Sequence, residues 1–188
     1  MTKSEELQDM LFRLRGGIWT ALFLVILVIA EPVRATVLWG LLFVVSGQLL
    51  RIWASGTIGL YRGEKVKAKE LVTEGPYALM RNPLYFGNGL IGLGWSIMAG
   101  FYAILLFVLC FFMLYNVFII PYEEKFLEKS FGDKFRQYKI RTARFYPRRL
   151  SSGNIAGKFD LSIVAKSEIH SLLVTVVGTL LLISRLYW

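Results

Sequence analysis

"NPLYFGNGLIGLGWSIMAGFYAILLFVLCFFMLYNVFIIPY", residues 82–122, runs for forty-one residues without a charged side chain. A helix needs about 20 apolar residues to cross the hydrocarbon core of a bilayer, so this stretch is long enough for two crossings. Gly100 lies near its middle, in "MAGFY" (98–102), and glycine readily releases a helix. The stretch therefore predicts two membrane helices joined by a tight turn at Gly100.

Three further apolar runs flank this pair, at 16–30, at 35–50 with a continuation past Arg51, and at 169–188. The 188 residues are 55% hydrophobic and their mean hydropathy is +0.53. We therefore predict one all-α membrane domain over 1–188, a polytopic helix bundle of about five transmembrane helices. A cleaved signal peptide is the alternative interpretation of the first run, although no small-x-small cleavage pattern follows it.

The basic residues are concentrated in three segments. Residues 1–15 carry three Lys or Arg, residues 61–81 carry five, and residues 123–168 carry eleven, which is nineteen of the twenty-two in the chain. The positive-inside rule then places the N-terminus and both long loops in the cytoplasm. Basic residues beside anionic lipid also account for the net charge of +9 without a nucleic-acid partner.

The chain has one cysteine, Cys110, and one histidine, His170. Cys110 lies within an apolar run, where a thiol packs as a small hydrophobic group. Because no His/Cys cluster exists, the sequence predicts no protein-built metal site.

The first polar stretch is "KELVTEGPYALMRNPLYFG" (69–87). Gly75 and Pro76 predict a turn, Asn82 is a suitable N-cap, and Pro83 suits the first position of a helix. The N-terminus of that helix favours a carboxylate or a phosphate. A capped helix start with interfacial tyrosines is the alternative interpretation.

The second polar stretch is "IPYEEKFLEKSFGDKFRQY" (120–138). Glu123 and Glu124 directly follow the uncharged run, where we expect a helix C-terminus that disfavours acids. Adjacent acids point about 100° apart on a helix, so one of them is free to accept hydrogen bonds from a ribose or an ammonium group. A solvated helix end is the alternative.

Two other segments carry recognisable patterns. "RTARFYP" (141–147) is basic and aromatic, and it predicts a segment that lies on the membrane surface or closes over a ligand. "GNGLIGLG" (87–94) superficially matches a dinucleotide fingerprint, but no strand precedes it. Its small residues instead predict close packing between membrane helices.

Taken in order, "LVTEGPYALMRNPLY", two membrane helices, "EEKFLEKSFGDKFRQY" and "RFYP" resemble the isoprenylcysteine carboxyl methyltransferase family and the related phosphatidylethanolamine N-methyltransferases. The resemblance covers residues 51–147 and leaves the helix at 169–188 outside. It implies a small multi-helix membrane enzyme whose cofactor, S-adenosylmethionine, binds at the cytoplasmic face.

The resemblance also implies roles for individual residues. The segment Lys69, Glu70, Leu71 and Val72 would line the adenosine end of the cofactor, with Tyr77 nearby. The helix start, Asn82, Pro83, Leu84 and Tyr85, would meet its amino-acid end. Glu123 would hold the ribose or the amino group, Glu124 would support it, and Arg62 matches a further cofactor contact. Arg81 would bind a carboxylate or a phosphate of the substrate.

Two positions depart from the family pattern. Asn82 stands where the eukaryotic enzymes have histidine, so no proton transfer can rest on that side chain. Ile119 stands where those enzymes carry an arginine implicated in substrate recognition. These departures disfavour the prenylcysteine carboxylate and favour a prokaryote-like lipid methyltransferase of an inner membrane. We expect a lipid or isoprenoid-type acceptor, with either a carboxyl or an amine as the methylated group.

The catalytic group depends on the acceptor. A carboxylate needs no general base, whereas an ammonium must first lose a proton, for which Glu124, Tyr85 and His170 are the candidates. Two other functions stay open from sequence. One is a membrane NADPH-dependent reductase of the sterol-reductase type, which has a similar helix start, and the other is a non-catalytic membrane partner protein.

Overall fold

The computed structural model of the chain describes residues 3–58, 70–146 and 155–187, with side chains from Glu6 onward. Within these ranges the regular structure is helical, apart from one isolated parallel bridge between Met80 and Ala143. The prediction of an all-α helix bundle is confirmed. In chain order the helices are α1 (Lys3–Val28), α2 (Arg34–Ile58), α3 (Pro76–Leu79), α4 (Pro83–Ala99), α5 (Phe101–Phe111), a π-helical segment (Phe112–Ile119), α6 (Ile120–Phe131), α7 (Asp133–Arg141), α8 (Leu161–Ser167) and α9 (Ile169–Ser184).

The bundle has two ends. At one end, the Tyr122 hydroxyl donates a hydrogen bond of 3.0 Å to Asp9 near the start of α1. At the other end, the Glu31 amide donates to the Ala99 carbonyl at 3.1 Å, and Arg185 donates to carbonyls that close α1. We call the first end the site face and the second the opposite face. Helices α1, α4 and α9 all run between the two.

Three helices are long and apolar enough to cross a membrane: Glu6–Val28, Arg34–Ile58 and Phe101–Phe131. Helices α8 and α9 together make a fourth candidate, bent by 58° at their junction. Length and composition therefore support three or four spans in the described ranges, fewer than the five predicted. Helix α4 also runs between the two faces, but it has only 17 residues.

Two helices extend beyond their apolar runs, and the second contradicts a prediction. Helix α1 begins at Lys3, before the apolar run at 16–30, because its charged first turns still bury Phe12, which is 3% exposed. The helix C-terminus predicted at Glu123 and Glu124 is wrong, since the helical path continues to Phe131. Pro121 does not break it, because its missing N–H comes directly after the π-helical segment, where the carbonyl register has already changed.

Helices α2 and α4 make the closest pair in the bundle. A methyl group built on Gly40 would lie 2.5 Å from the carbonyl oxygen of Gly94, and one built on Gly47 would lie 2.6 Å from that of Gly87. The two backbones therefore touch, which only glycine permits at these positions. The predicted packing role of "GNGLIGLG" is confirmed, as is the turn at Gly100, whose φ is +116°.

Candidate active site

The three polar stretches of the sequence meet at the site face. Met80 bridges to Ala143, the Arg81 amide donates to the Ala143 carbonyl at 2.8 Å, and the Asn82 amide donates to the Arg144 carbonyl at 3.1 Å. The described part of the "RTARFYP" stretch therefore packs against the entry to α4. Its backbone completes hydrogen bonds that the turn before α4 leaves open.

Tyr138 on α7 holds the preceding turn in place. Its hydroxyl donates a hydrogen bond of 2.7 Å to the carbonyl oxygen of Tyr77, and both tyrosines are buried. Burial raises the pKa of Tyr138 well above the ordinary tyrosine value. The phenol therefore stays protonated and keeps donating at any physiological pH.

Glu124 is the centre of a charge cluster. Arg81 donates to its Oε1 at 2.8 Å, Arg144 donates to its Oε2 at 3.0 Å, and the Lys139 ammonium lies 3.7 Å from Oε2. Arg81 also donates to the carbonyl oxygen of Thr142. Three cations thus surround a carboxylate that is only 7% exposed, which leaves a local excess of positive charge.

Glu123 points to a different set of groups. The Tyr85 hydroxyl donates to Glu123 Oε1 at 2.6 Å, and the Tyr85 ring packs on the ring of Tyr115 with centroids 4.5 Å apart. Tyr115 accepts a hydrogen bond of 3.0 Å from Asn88 and stacks on Trp19. Glu123 and Tyr85 are each half-buried. The aromatic ring of Tyr115 that packs on Tyr85 therefore holds the pair in position, while part of its surface stays accessible to a ligand.

The start of α4 has the predicted layout with one difference. Asn82 occupies the N-cap position and Pro83 the first helical position, but the Asn82 side chain makes no capping hydrogen bond. Its Nδ2 atom instead lies 3.4 Å from the Arg144 carbonyl oxygen. Pro83 is buried and Leu84 is half-buried behind it. Asn82 therefore joins α4 to the 143–146 segment.

A cavity of about 460 Å³ opens beside the charge cluster. Its floor is polar, since Arg144 donates to Asn116 Oδ1 at 3.0 Å there, and its walls are mainly aromatic. The lining residues are Arg81, Phe111, Phe112, Asn116, Ala143, Arg144, Phe145 and Tyr146. Phe112 and Tyr146 are exposed, so the cavity is open to the surroundings of the bundle.

For the remaining predicted residues that lie in the described ranges, the structure gives the exposure of the side chain but no hydrogen bond to the charge cluster or to the Tyr85–Glu123 pair. Glu70 is exposed, and Leu71 and Val72 are half-buried in the extended segment before α3. Lys69 and Arg62 lie outside the described residues. His170 is exposed at the start of α9, two residues after Glu168.

Several residues of the site were not singled out from sequence. Arg144 and Asn116 complete the charge cluster and the cavity floor, and Tyr138 supports Tyr77. Arg51 was assigned no role, yet it forms a buried pair with Glu168 at 2.9 Å and also donates to Asn88. An ionisable residue inside a membrane helix was the available signal for Arg51.

Across residues 3–58, 70–146 and 155–187, no three His, Cys, Asp or Glu side chains are grouped so as to hold a metal ion. The acids of the site are instead bound to arginines and to a tyrosine.

Comparison with known proteins gives matches over most of the chain. Residues 35–134 match the phospholipid methyltransferase family. The nickel-cobalt-cadmium resistance protein NccN of Alcaligenes xylosoxydans xylosoxydans is 32% identical over 154 residues, covering 76% of this chain and 68% of that protein. The cobalt-zinc-cadmium resistance protein CzcN of Cupriavidus metallidurans is 31% identical over 159 residues, covering 77% and 69% respectively.

Proposed function

Because this chain belongs to the phospholipid methyltransferase family, we propose that it is an integral membrane enzyme that uses S-adenosylmethionine to methylate a lipid or isoprenoid-type acceptor. The observation that carries the proposal is the meeting of the α4 entry, the Glu123–Glu124 pair and the 143–146 segment at one face of the bundle. The family resemblance assigns the first two of these to the cofactor, and the third belongs to the "RTARFYP" stretch, one predicted role of which is to close over a ligand.

The chemistry of the site suits this cofactor. S-adenosylmethionine carries an ammonium group, a carboxylate and ribose hydroxyls, and when bound it supplies a methyl group already activated by the sulfonium charge. A reachable acid, Glu123, suits the ammonium or the ribose hydroxyls. The positive excess of Arg81 and Arg144 around Glu124 suits a second anion such as the cofactor carboxylate.

We assign different roles to the two neighbouring acids. Glu123 contacts the cofactor, and Tyr85 orients it through the 2.6 Å hydrogen bond. Glu124 organises the site, because two guanidinium groups hold its carboxylate and oppose its protonation. Glu124 is therefore a poor general base. The chain mainly aligns the reactants and excludes water, as a reaction with an activated methyl group requires.

The cavity beside Arg144 is the proposed route for the acceptor. Its aromatic walls suit a lipid chain, and its cationic floor suits a carboxylate or a phosphate on the headgroup. The basic residues of the loops at this face favour the cytoplasmic side of the membrane, which supports entry of the acceptor from the inner leaflet and of the cofactor from water.

The direct test is incubation of the purified protein, in nanodiscs made from bacterial lipid extract, with S-adenosylmethionine labelled in its methyl group. We expect one labelled lipid, and its mass identifies a methyl ester or a methylated amine. Glu123→Gln and Tyr85→Phe should each lower the yield, while Glu128→Gln, a partly exposed acid on the same helix, serves as the control.

Calorimetry with S-adenosylhomocysteine and with NADPH separates the alternatives. Binding of S-adenosylhomocysteine that weakens in Glu123→Gln supports the proposal. Binding of NADPH in its place would favour a reductase, and binding of neither would favour a non-catalytic partner protein.

A further inference from the structure

Residues 155–160 follow the family-matched region and return to the site face. Residues 157–160 contact the two ends of the connection between α2 and α3: residues 159 and 160 contact the first end, and residues 157 and 158 contact the second. We call residues 155–160 the clasp.

The first end of that connection is Gly56, near the end of α2. The Asp160 amide donates a hydrogen bond of 3.1 Å to the Gly56 carbonyl, and the Phe159 ring lies directly against the Gly56 Cα. Any side chain at Gly56 would overlap that ring. The Phe159 ring can therefore pack in this place only because residue 56 is a glycine.

The second end is the turn that begins α3. The Lys158 amide donates to Glu74 Oε1 at 3.3 Å. A methyl group built on Gly157 would lie 2.8 Å from the backbone nitrogen of Gly75 and 3.0 Å from its Cα. Gly157 has φ of +56° and Gly75 has φ of +61°, so two left-handed glycines pack backbone to backbone.

The clasp is anchored at its far end within the bundle. Asp160 caps α8 by accepting a 2.8 Å hydrogen bond from the Ser162 amide. Hydrogen bonding to the Ser162 side chain and then to its amide holds the pKa of Asp160 below its ordinary value. Directly after α8, Glu168 pairs with Arg51. The Ser167 and Ser55 hydroxyls also hydrogen-bond across the same interface. Polar contacts within an apolar bundle fix α8 relative to α2, and the clasp with it.

We propose that the clasp is a positioning element for the methyl-donor site and that it acts by fixing the Glu74–Gly75 turn. This inference rests on the proposed function. The turn leads into Tyr77, whose carbonyl Tyr138 holds, and then into Arg81 and Asn82. The turn is thus held by two contacts, one from Tyr138 on α7 and one from the clasp, and both come from residues after the family-matched range 35–134.

The test is Gly157→Ala, with Gly132→Ala as the matched control. Both glycines have nearly the same positive φ, +56° and +53°, so an alanine at either position takes a φ that L side chains disfavour. Nothing lies within 4 Å of a methyl group at Gly132, whereas the methyl group at Gly157 strikes Gly75. The difference between the variants therefore isolates the contact with the turn.

Full-length variants are compared by thermal unfolding and by the Kd of S-adenosylhomocysteine. We expect Gly157→Ala to raise that Kd by about 10-fold or more, which is a loss of about 1.4 kcal/mol of binding free energy or more. Gly132→Ala should leave it unchanged, although both variants lose thermal stability. A Kd equal to that of the wild type in Gly157→Ala would overturn the inference alone, while a wild-type protein that does not bind the compound would overturn the proposed function as well.

Phe159→Ala gives the same test without backbone strain if Gly157→Ala does not fold. It removes the ring from Gly56 and should also raise the Kd, with Phe101→Ala, an exposed ring at the opposite face, as its control. Equal Kd values for these two variants would refute the positioning role.

Discussion

Arg81 and Glu124 form a buried ion pair in which Arg81 Nη2 donates to Glu124 Oε1 at 2.8 Å, and their side chains are only 9% and 7% exposed. Arg144 binds the other carboxylate oxygen at 3.0 Å. The cluster joins the entry of α4, α6 and the 143–146 segment through a single carboxylate. The site is consequently assembled by charge as much as by packing.

Glu124→Gln should destabilise the protein strongly, because it leaves two guanidinium groups around a neutral amide. Loss of one partner of a buried pair costs about 3–5 kcal/mol. Thermal unfolding in detergent measures the effect. The control is Glu128→Gln, whose partner Arg136 is 61% exposed, and an exposed pair contributes at most about 1 kcal/mol. Similar losses in both variants would contradict the central role of Glu124.

Sequence patterns predicted the parts of the site that lie close together in the chain. Gly75 and Pro76 predicted the turn, Asn82 and Pro83 predicted the start of α4, and the uncharged run predicted the helix pair. These features depend on backbone preferences and on the hydrophobicity of a segment, which are local properties.

The contacts between distant segments were not predictable in the same way. Arg144 belongs to the "RTARFYP" stretch, for which the sequence allowed either a position on the membrane surface or closure over a ligand. Its pairing with Glu124 depends on the return of the 143–146 segment to the start of α4, which the local sequence does not encode. Arg51 and Glu168 are 117 positions apart, and only the packing of α8 on α2 brings them together. Helix periodicity carries no information on such partners. For the same reason, the contact between the clasp and the Glu74–Gly75 turn was not predicted from the sequence.

Gly47→Ala tests the contact between α2 and α4. Its methyl group would lie 2.6 Å from the carbonyl oxygen of Gly87 and 2.9 Å from the amide nitrogen of Ile91, so the helices must separate. Overpacking of this kind costs about 1–3 kcal/mol, and the melting temperature should fall. Gly17→Ala, where nothing lies within 4 Å, should instead be neutral or stabilising by up to about 1 kcal/mol. If Gly47→Ala melts like the wild type, the two backbones are not in contact.

Tyr138→Phe tests the hydrogen bond to Tyr77 and its dependence on pH. Near neutral pH the variant loses one buried hydrogen bond and should be destabilised by about 1–3 kcal/mol, because the Tyr77 carbonyl is left unsatisfied. The folded-state pKa of Tyr138 is raised, so its stabilising contribution is complete below the ordinary tyrosine pKa and is lost as the pH rises above it. The difference in melting temperature between wild type and variant should therefore narrow above about pH 10. A difference that stays constant or grows with pH would show that Tyr138 ionises freely in the folded protein.

The Arg51–Glu168 pair predicts a non-additive result. Glu168→Gln leaves the Arg51 guanidinium, which is 8% exposed, without its carboxylate, and this should cost about 3–5 kcal/mol. The double variant Arg51→Met with Glu168→Met removes both charges and replaces them with flexible apolar side chains of similar length. The double variant should be more stable than Glu168→Gln, because it has no buried charge at these two positions and therefore no cost of removing a charge from water there. The loss of the hydrogen bond that Arg51 donates to Asn88 offsets part of this gain. A double-mutant cycle of melting temperatures, completed with Arg51→Met and Glu168→Met alone, gives the coupling. Additive losses would mean that the two side chains contribute independently and that the pair does not anchor α8 to α2.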